Sequence, residues 1–139
     1  MNCTFFTDRD LGRQFPDILR AAGLSVVPFA EHFVPTTPDQ EWLAAVGQKG
    51  WTAITHDQRI RYKPNELATV VRYNVGLLVV VGKAPLRTLA GNFVATRHRI
   101  ERFLAGQQRP FIAKVHRPRP AELARNAAAP GSVTLWYPR

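Results

Sequence analysis

Residues 74–82 have the sequence NVGLLVVVG, and this stretch decides the class of fold. At its centre, residues 77–81 form an apolar run in which hydrophobic and polar residues do not alternate. A strand with one face in water alternates, whereas a parallel strand covered by helices on both faces is apolar throughout. The run therefore predicts a central parallel strand in an α/β domain.

Strand-like and helix-like segments alternate on both sides of this run. Short stretches rich in β-branched and aromatic residues predict four more strands, at residues 3–7, 24–28, 51–55 and 111–115. Apolar residues three and four positions apart predict helices between them, at residues 11–22, 40–47, 64–73 and from 85 through 104. Because such alternation implies right-handed crossovers, it predicts a three-layer α/β/α fold around a central, mostly parallel five-stranded sheet.

The chain length of 139 residues suits one domain with a hydrophobic core. We place that domain in residues 1–116 and a basic, Pro/Ala-rich C-terminal tail in residues 117–139. The tail contains the apolar segment VTLWY at 133–137, so we expect a tether followed by a docking strand or a partner-binding segment. The single cysteine, Cys3, excludes an internal disulfide.

Membrane insertion and secretion are not expected. The longest apolar stretch, residues 75–82, is far shorter than the roughly 20 residues that span a bilayer. The N-terminal sequence MNCTFFTDRD carries acids where a signal peptide needs basic residues. We expect a soluble, cytoplasmic protein with no membrane partner, and the sequence leaves a homodimer open.

The charge balance is strongly basic. Nineteen Lys and Arg against ten Asp and Glu give a net charge of +9, and fifteen of the nineteen are Arg, which favours bidentate contacts to phosphate. Residues 117–139 carry +3 of this charge, so the domain itself keeps +6. Such a surface attracts a nucleic acid or an acidic protein.

Three acids are expected to converge at one edge of the sheet. Asp8 follows the first predicted strand, Asp57 follows the third, and Asp39 begins the helix between them. Ligands of open parallel sheets bind beyond the carboxyl ends of the strands, where these side chains would meet. Clustered carboxylates repel one another unless a cation lies between them, and hard oxygen ligands suit Mg²⁺ or Mn²⁺. Taken singly, Asp39 could be only a helix N-cap, and Asp8 and Asp57 only turn residues.

Basic residues follow two of these acids directly and are candidates for binding the substrate: Arg9, Arg59, Arg61 and Lys63. A carboxylate-held divalent ion can activate water for attack on a phosphodiester, while such cations neutralise the strand being cut. Acids for a metal and bases for a phosphate backbone together predict a nuclease. Asp10, Glu31 and Glu41 are candidates for an additional acid, although structural roles are the favoured interpretation of all three.

Two segments carry a family resemblance: FFTDRDLGRQFPDILRAAGLSV at 5–26 and PDQEWLAAVGQKGWTAITHDQRIR at 38–61. They resemble the PIN-like domains of toxin-type ribonucleases, in particular a short subgroup related to VapC-type toxins, over roughly residues 2–116. An Asp closes the first strand, an Asp opens a helix, and a T-x-D follows the next strand. The resemblance implies Mg²⁺- or Mn²⁺-dependent cleavage of RNA by one member of a toxin–antitoxin pair. It makes Asp8, Asp39 and Asp57 the catalytic metal site and Thr55 a supporting hydroxyl.

One departure from the family pattern concerns a further acid. Larger PIN domains carry it on a helix between the first two of these positions, whereas residues 30–38 of this chain are expected to form a loop. Glu31 could substitute from that loop; otherwise the site has three acids.

Two other functions remain open at the level of sequence. A phosphoacceptor receiver domain also places acids where Asp8, Asp10 and Asp57 stand, but it needs a hydroxyl residue ending the fourth strand and a Lys ending the fifth. Here Val81 and Gly82 occupy the first place, and Lys114 lies inside its strand. A non-catalytic basic RNA-binding module would explain the arginines without any metal.

Overall fold

Six strands form one sheet in the computed structural model, which describes residues 3–138. They are β1 (Thr4–Thr7), β2 (Ser25–Pro28), β3 (Thr52–Thr55), β4 (Gly76–Val81), β5 (Phe111–His116) and β6 (Ser132–Tyr137). Their order across the sheet is β2-β1-β3-β4-β5-β6, with the first five parallel and β6 antiparallel to β5. The predicted α/β class with a mostly parallel central sheet is confirmed.

Six α-helices are described in the same residues: α1 (Gln14–Ala21), α2 (Asp39–Lys49), α3 (Pro64–Arg72), α4 (Leu86–Ala95), α5 (Arg97–Gly106) and α6 (Pro120–Arg125). Short 3-10 turns lie at Arg9–Leu11, Phe29–Glu31 and Ile60–Tyr62. The first of these follows β1 and the third follows β3, so both lie at the edge where the acids were expected.

The prediction of five strands is wrong by one, because the C-terminal tail adds β6. Val133 and Leu135 pack against the core on one face of the sheet, and Trp136 and Tyr137 pack on the other. The strand thus buries apolar area on both faces of the sheet, and a register shift opposite Ile112 and Ala113 lets the consecutive Trp136 and Tyr137 share one face. Short apolar alternation in a tail does not distinguish a docking strand from a partner-binding segment, which is why the sequence left both open.

The long helix predicted from residue 85 through 104 is two helices that meet at Thr96. This side chain is fully buried; its hydroxyl donates to the Asn92 carbonyl oxygen (2.6 Å) and accepts the Gly131 N–H (2.9 Å). A hydroxyl that bonds back to the preceding turn competes with the helical hydrogen-bond ladder and bends helices. At the break, the Thr96 hydroxyl therefore links the helical layer to Gly131, in the segment that leads into β6.

Two hydrophobic layers enclose the sheet, as the unbroken apolar run of β4 predicts. Phe5 and Phe6 are consecutive in β1 and point to opposite faces. Phe5 packs with Phe93 in the layer formed with α1, α4 and α5, and Phe6 stacks on Trp42 in the layer formed with α2 and α3. Residues 76–80 of β4 are buried throughout. Among residues 3–138, no helix combines the length and apolarity needed to cross a bilayer.

Candidate active site

The ends of β1 and β3 place acids at one edge of the sheet. These strands are neighbours, with Thr7 in register with Ile54, and the Asp8 N–H continues the pairing by donating to the Ile54 carbonyl oxygen (2.9 Å). The Asp8 carboxylate also accepts the Arg9 N–H (2.7 Å), which caps the 3-10 turn Arg9–Leu11. That turn reverses the chain and brings Asp10 back toward the end of β3.

An open cavity of about 480 Å³ lies at this edge. It is lined by all three acids predicted as ligands, by a fourth acid and by polar or basic neighbours: Asp8, Asp39, Asp57, Asp10, Arg9, His56, Gln58 and Arg59. The structure therefore brings the three predicted acids to a common cavity from three separate segments of the chain.

Thr55 is the hydrogen-bonding centre of this site. Its fully buried hydroxyl lies 2.8 Å from Asp8 Oδ2 and 3.3 Å from Asp10 Oδ2, to which it can donate. The same oxygen accepts the Asp57 N–H (3.1 Å). Asp10 also accepts the His56 N–H (3.2 Å). Two carboxylates thus converge on one hydroxyl, and a third acid is fixed beside them through its backbone.

Asp8 and Asp10 form an uncompensated carboxylate pair. Burial, together with the charges of Asp10 and Asp39, raises the pKa of Asp8 to about 7. Burial also raises the pKa of Asp10, and the nearby Asp57 adds to that effect. Within the described part of the chain, neither carboxylate has a Lys or Arg nitrogen within ion-pair distance. The pair consequently carries negative charge at neutral pH only at an energetic cost.

Asp39 and Asp57, in contrast, are neutralised by basic side chains. Arg9 Nη2 lies 3.0 Å from Asp39 Oδ1, and Lys63 Nζ lies 2.6 Å from Asp57 Oδ2 and 3.8 Å from Asp39 Oδ2. Partial burial opposes ionisation of Asp57, but hydrogen bonds from Lys63 and from the Arg59 N–H outweigh it and hold its pKa below the ordinary value. Lys63 therefore occupies the space between these two acids.

The interpretation of Asp39 as a helix N-cap is wrong. Asp39 is the first residue of α2, and the N-cap position belongs to Pro38. The Asp39 carboxylate instead accepts the Trp42 indole N–H (2.9 Å) and pairs with Arg9. Its side chain is consequently turned toward the cavity.

The basic residues expected around the acids separate into three groups. Arg9 and Lys63 are held by the acids, and Arg9 also donates to the carbonyl oxygens of Pro35 (2.6 Å) and Thr37 (2.9 Å). Arg59 lies at the cavity with a side chain that is 85% exposed. Arg61 points elsewhere, because its guanidinium packs on aromatic rings of the C-terminal strand.

Of the additional acids considered from sequence, only Asp10 lies at the site. Glu31 belongs to the 3-10 turn Phe29–Glu31, not to an irregular loop, and pairs with Arg20 of α1 (2.8 Å). Glu41 lines a separate groove between α2 and α3. His56, for which the sequence does not distinguish a metal or base role from an exposed strand end, lines the cavity, and its Nε2 lies 3.1 Å from the Gly82 carbonyl oxygen. The spacing Asp-x-Asp directly after β1 is the signal that could have ranked Asp10 higher.

A model of the PIN-like domain family matches residues 3–82, more than half of the chain. The chain belongs to the PIN-like domain family. PIN-like domains are commonly nucleases, so membership is compatible with ribonuclease activity. The match contains β1 to β4 and the four acids at the cavity, whereas β5 and β6 lie beyond it. No curated protein and no solved structure matches the chain significantly.

The donor set of this PIN-like domain can be compared with what a divalent cation requires. Asp8 and Asp10 offer hard oxygen donors, share one hydroxyl and have no Lys or Arg partner among the residues described, which fits Mg²⁺ or Mn²⁺. In the part of the chain that the structure describes, no three acidic, His or Cys side chains are close enough together to hold an ion. Asp39 and Asp57 could complete such a site only by giving up contacts with basic side chains: both contact Lys63, Asp39 also pairs with Arg9, and Arg59 Nε lies 3.8 Å from Asp57.

Proposed function

We propose that this PIN-like domain is a metal-dependent endoribonuclease of the VapC-related type, and that it is the toxin of a toxin–antitoxin pair. One observation carries the proposal: the Asp8–Asp10 carboxylate pair, held by Thr55 and without a Lys or Arg partner among residues 3–138, lies in an open cavity bordered by basic side chains. Buried carboxylates left in this state gain most from a bound cation.

Asp8, Asp39 and Asp57 are the proposed ligands and catalytic acids, with Asp10 as the additional acid. Mg²⁺ or Mn²⁺, when bound, supplies a Lewis acid for a phosphodiester oxygen and lowers the pKa of a water molecule. The chain's own part is to hold the carboxylates in place through Thr55 and to bind the RNA backbone through Arg9, Arg59 and Lys63. Their positive charges offset the phosphate charge of the bound strand.

Lys63 links binding of RNA to assembly of the acids. Its ammonium bridges Asp57 and Asp39, at 2.6 Å and 3.8 Å, and its side chain is one-third exposed. A substrate phosphate that attracts this ammonium would free the Oδ2 atoms of Asp57 and Asp39, while Asp39 Oδ1 stays paired with Arg9. We therefore propose that the acids are completed as ligands when RNA is present.

The direct test is digestion of a labelled RNA panel with Mn²⁺ or Mg²⁺ and with a chelator. Wild type should cleave only with metal. Asp8→Asn and Asp57→Asn should lower the cleavage rate by about a hundredfold or more, because removing a metal ligand should cost at least as much activity as removing a residue that only supports a ligand. Asp17→Asn is the matched control, because it removes the same charge from an exposed position on α1. Unchanged cleavage by both site variants would remove these acids from the mechanism.

The toxin role rests on charge and on the family resemblance. An acidic antitoxin segment laid over the cavity would meet Arg59 and Lys63 and could block entry of RNA. Overexpression of wild type should slow growth, Asp57→Asn should not, and a small neighbouring-gene product should co-purify and restore growth. Growth that is unaffected by the wild-type protein would contradict the toxin role and leave the nuclease chemistry to the digestion assay.

The same assays separate the alternatives. A receiver-like protein would incorporate phosphate at Asp57 from a small phosphodonor and leave RNA intact. The Lys114 ammonium, 4.1 Å from the Trp136 ring centre, packs on that ring and not at the cavity. A non-catalytic RNA-binding module would bind RNA and release it uncut under every metal condition.

A further inference from the structure

An aromatic and cationic cluster lies on the surface beside the candidate active site. We call it the Tyr62 cluster; its members are Arg61, Tyr62, Lys114, Trp136 and Tyr137. Tyr62 itself is 66% exposed, the highest value among the large hydrophobic side chains that stand out at the surface. A large aromatic ring left in water at such a position has no role in the core.

The cluster holds its exposed ring in a fixed setting. Tyr62 and Trp136 meet edge to face, with ring centres 5.7 Å apart and planes at 82°. The Arg61 guanidinium carbon lies 5.5 Å from the Tyr62 ring centre and 5.5 Å from that of Tyr137, and Arg61 Nε donates to the Trp136 carbonyl oxygen (3.3 Å). Because these contacts leave two-thirds of Tyr62 exposed, the ring is both supported and accessible.

The position of the cluster connects it to the carboxylate cavity. Tyr62 ends the 3-10 turn Ile60–Tyr62, which follows Asp57, and the next residue is Lys63, whose ammonium lies 2.6 Å from Asp57 Oδ2. Trp136 comes from β6, beyond the residues that the family model matches. The added strand thus supports a ring whose neighbour in sequence, Lys63, contacts an acid of the candidate active site.

We propose that the Tyr62 cluster is a stacking platform for an unpaired base of single-stranded RNA whose backbone enters the carboxylate cavity. This inference rests on the proposed function, since it names the form of RNA that the same site receives. Aromatic rings beside cations bind single strands because every base offers a flat π-face, whereas bases within a duplex are already stacked.

The charges around the cluster favour a polyanion over an apolar protein partner. Arg61 and Lys114 belong to the cluster, and Lys63 directly follows Tyr62 in sequence. Besides Asp57 and Asp39, which Lys63 contacts, Glu66 also lies close enough to raise the pKa of Lys63. An apolar partner covering Tyr62 would have to strip water from these cations. An RNA strand places phosphates near them and a base on the ring.

Binding of a short, labelled single-stranded RNA in a chelator tests the platform without cleavage, at one fixed salt concentration. Tyr62→Ala should weaken binding by about 5- to 150-fold, the range that losing one base–aromatic stack produces. Tyr62→Trp should keep the affinity, because it restores a stacking surface. The matched control is Val34→Ala, which truncates a side chain that is 65% exposed and belongs to no part of the cluster.

A duplex of the same sequence distinguishes stacking from general attraction. Its affinity should be the same for wild type and Tyr62→Ala. The platform is overturned if Tyr62→Ala binds single strands as tightly as Val34→Ala does, if single strands and duplex weaken equally, or if a polyglutamate peptide loses as much affinity as the RNA. Thermal unfolding of each variant verifies that the exposed substitution leaves the fold intact.

The outcomes also separate this inference from the nuclease proposal. If wild type never cleaves RNA but Tyr62→Ala selectively loses single-strand binding, the platform stands and the nuclease proposal fails. If wild type cleaves and Tyr62→Ala behaves as Val34→Ala in binding, the platform alone fails.

Discussion

The Thr55 hydroxyl lies 2.8 Å from the Asp8 carboxylate and joins the end of β3 to the end of β1. Both side chains are buried, and the same hydroxyl oxygen accepts the Asp57 N–H. One side chain therefore holds the Asp8 carboxylate, 47 residues away from it in the chain, and the backbone of Asp57. Its loss should affect stability and chemistry together.

Thr55→Val keeps the shape of the side chain and removes the hydroxyl. It should destabilise the fold by about 1–3 kcal/mol, because a buried carboxylate loses its donor and the Asp57 N–H loses its acceptor. Metal-dependent cleavage should fall with it, and Thr55→Ser should preserve both properties. Urea unfolding and the RNA digestion assay measure the two effects.

Thr7→Val is a stringent control for that prediction. Thr7 is equally buried at the end of the neighbouring strand β1, but its hydroxyl has no hydrogen-bond partner among the described residues. Removing an unsatisfied hydroxyl should leave the free energy of unfolding unchanged or raise it. A comparable loss of stability in both variants would show that the Thr55 hydrogen bonds are not the cause.

The raised pKa of Asp8 makes stability fall as pH rises in the metal-free protein. With a folded-state pKa of about 7 against an unfolded value of 3.8, the folded protein binds the proton more tightly. The contribution of Asp8 to the free energy of unfolding is complete below the unfolded pKa and is lost as pH rises through the folded pKa. The total loss is roughly 4 kcal/mol. The Asp8→Asn variant has no ionisable group at this position, so its free energy of unfolding relative to wild type should rise from about pH 4 to pH 7.

Urea unfolding in a chelator across that pH range measures the difference. Asp57→Asn should behave in the opposite way, because the folded-state pKa of Asp57 is lowered and its ionised form stabilises the fold above the unfolded pKa. Added Mn²⁺ should restore stability to wild type at neutral pH but less to Asp8→Asn, by mass action on the folded state. Parallel pH profiles for wild type and Asp8→Asn would contradict the assignment.

The sheet and the gathering of acids at its edge follow from general rules, which is why the sequence was sufficient for them. An unbroken apolar run such as residues 77–81 is compatible with few structures, and parallel strands bring their carboxyl ends to one edge. Asp8, Asp39 and Asp57 therefore line a common cavity as expected. Their roles as metal ligands stay a prediction.

The local charge arrangement could not be predicted in the same way. Lys63 reaches back over six residues to Asp57 because the turn Ile60–Tyr62 brings the chain around, and periodicity does not specify such a turn. Asp10 enters the site through the tight turn after β1. Arg61 is drawn to Trp136, which is 75 residues away in sequence. Each case depends on tertiary packing that short patterns do not contain.

Lys63→Gln should strengthen binding of Mn²⁺ and weaken binding of RNA. The Lys63 ammonium competes with a cation for Asp57 and Asp39, and at these partly exposed positions its removal should favour the metal by about 1 kcal/mol, or roughly fivefold in Kd. The same change removes a proposed contact to RNA phosphate. Titration calorimetry with Mn²⁺ and anisotropy with RNA in a chelator measure the two directions separately.

Lys49→Gln is the matched control for charge, because that ammonium lies over the Trp51 ring at the far end of α2 and not beside an acid. It should leave Mn²⁺ affinity unchanged. If Lys63→Gln binds Mn²⁺ no better than wild type, the carboxylates of Asp57 and Asp39 do not take part in binding the ion.

Gly131→Ala should destabilise the protein by disturbing the entry to β6. A Cβ at Gly131 would overlap the His116 carbonyl oxygen, while the Gly131 N–H donates to Thr96 and its carbonyl oxygen accepts from Arg99 (2.7 Å). Backbone on both sides must shift, at a cost of about 1–3 kcal/mol.

Gly91→Ala is the control: a Cβ there meets nothing within 4 Å inside α4, so this substitution should stabilise the protein by roughly 0.5–1 kcal/mol. Because β6 supplies Trp136, Gly131→Ala should also weaken single-stranded RNA binding; equal stability of Gly131→Ala and wild type in urea would mean that β6 does not dock against β5 in this way.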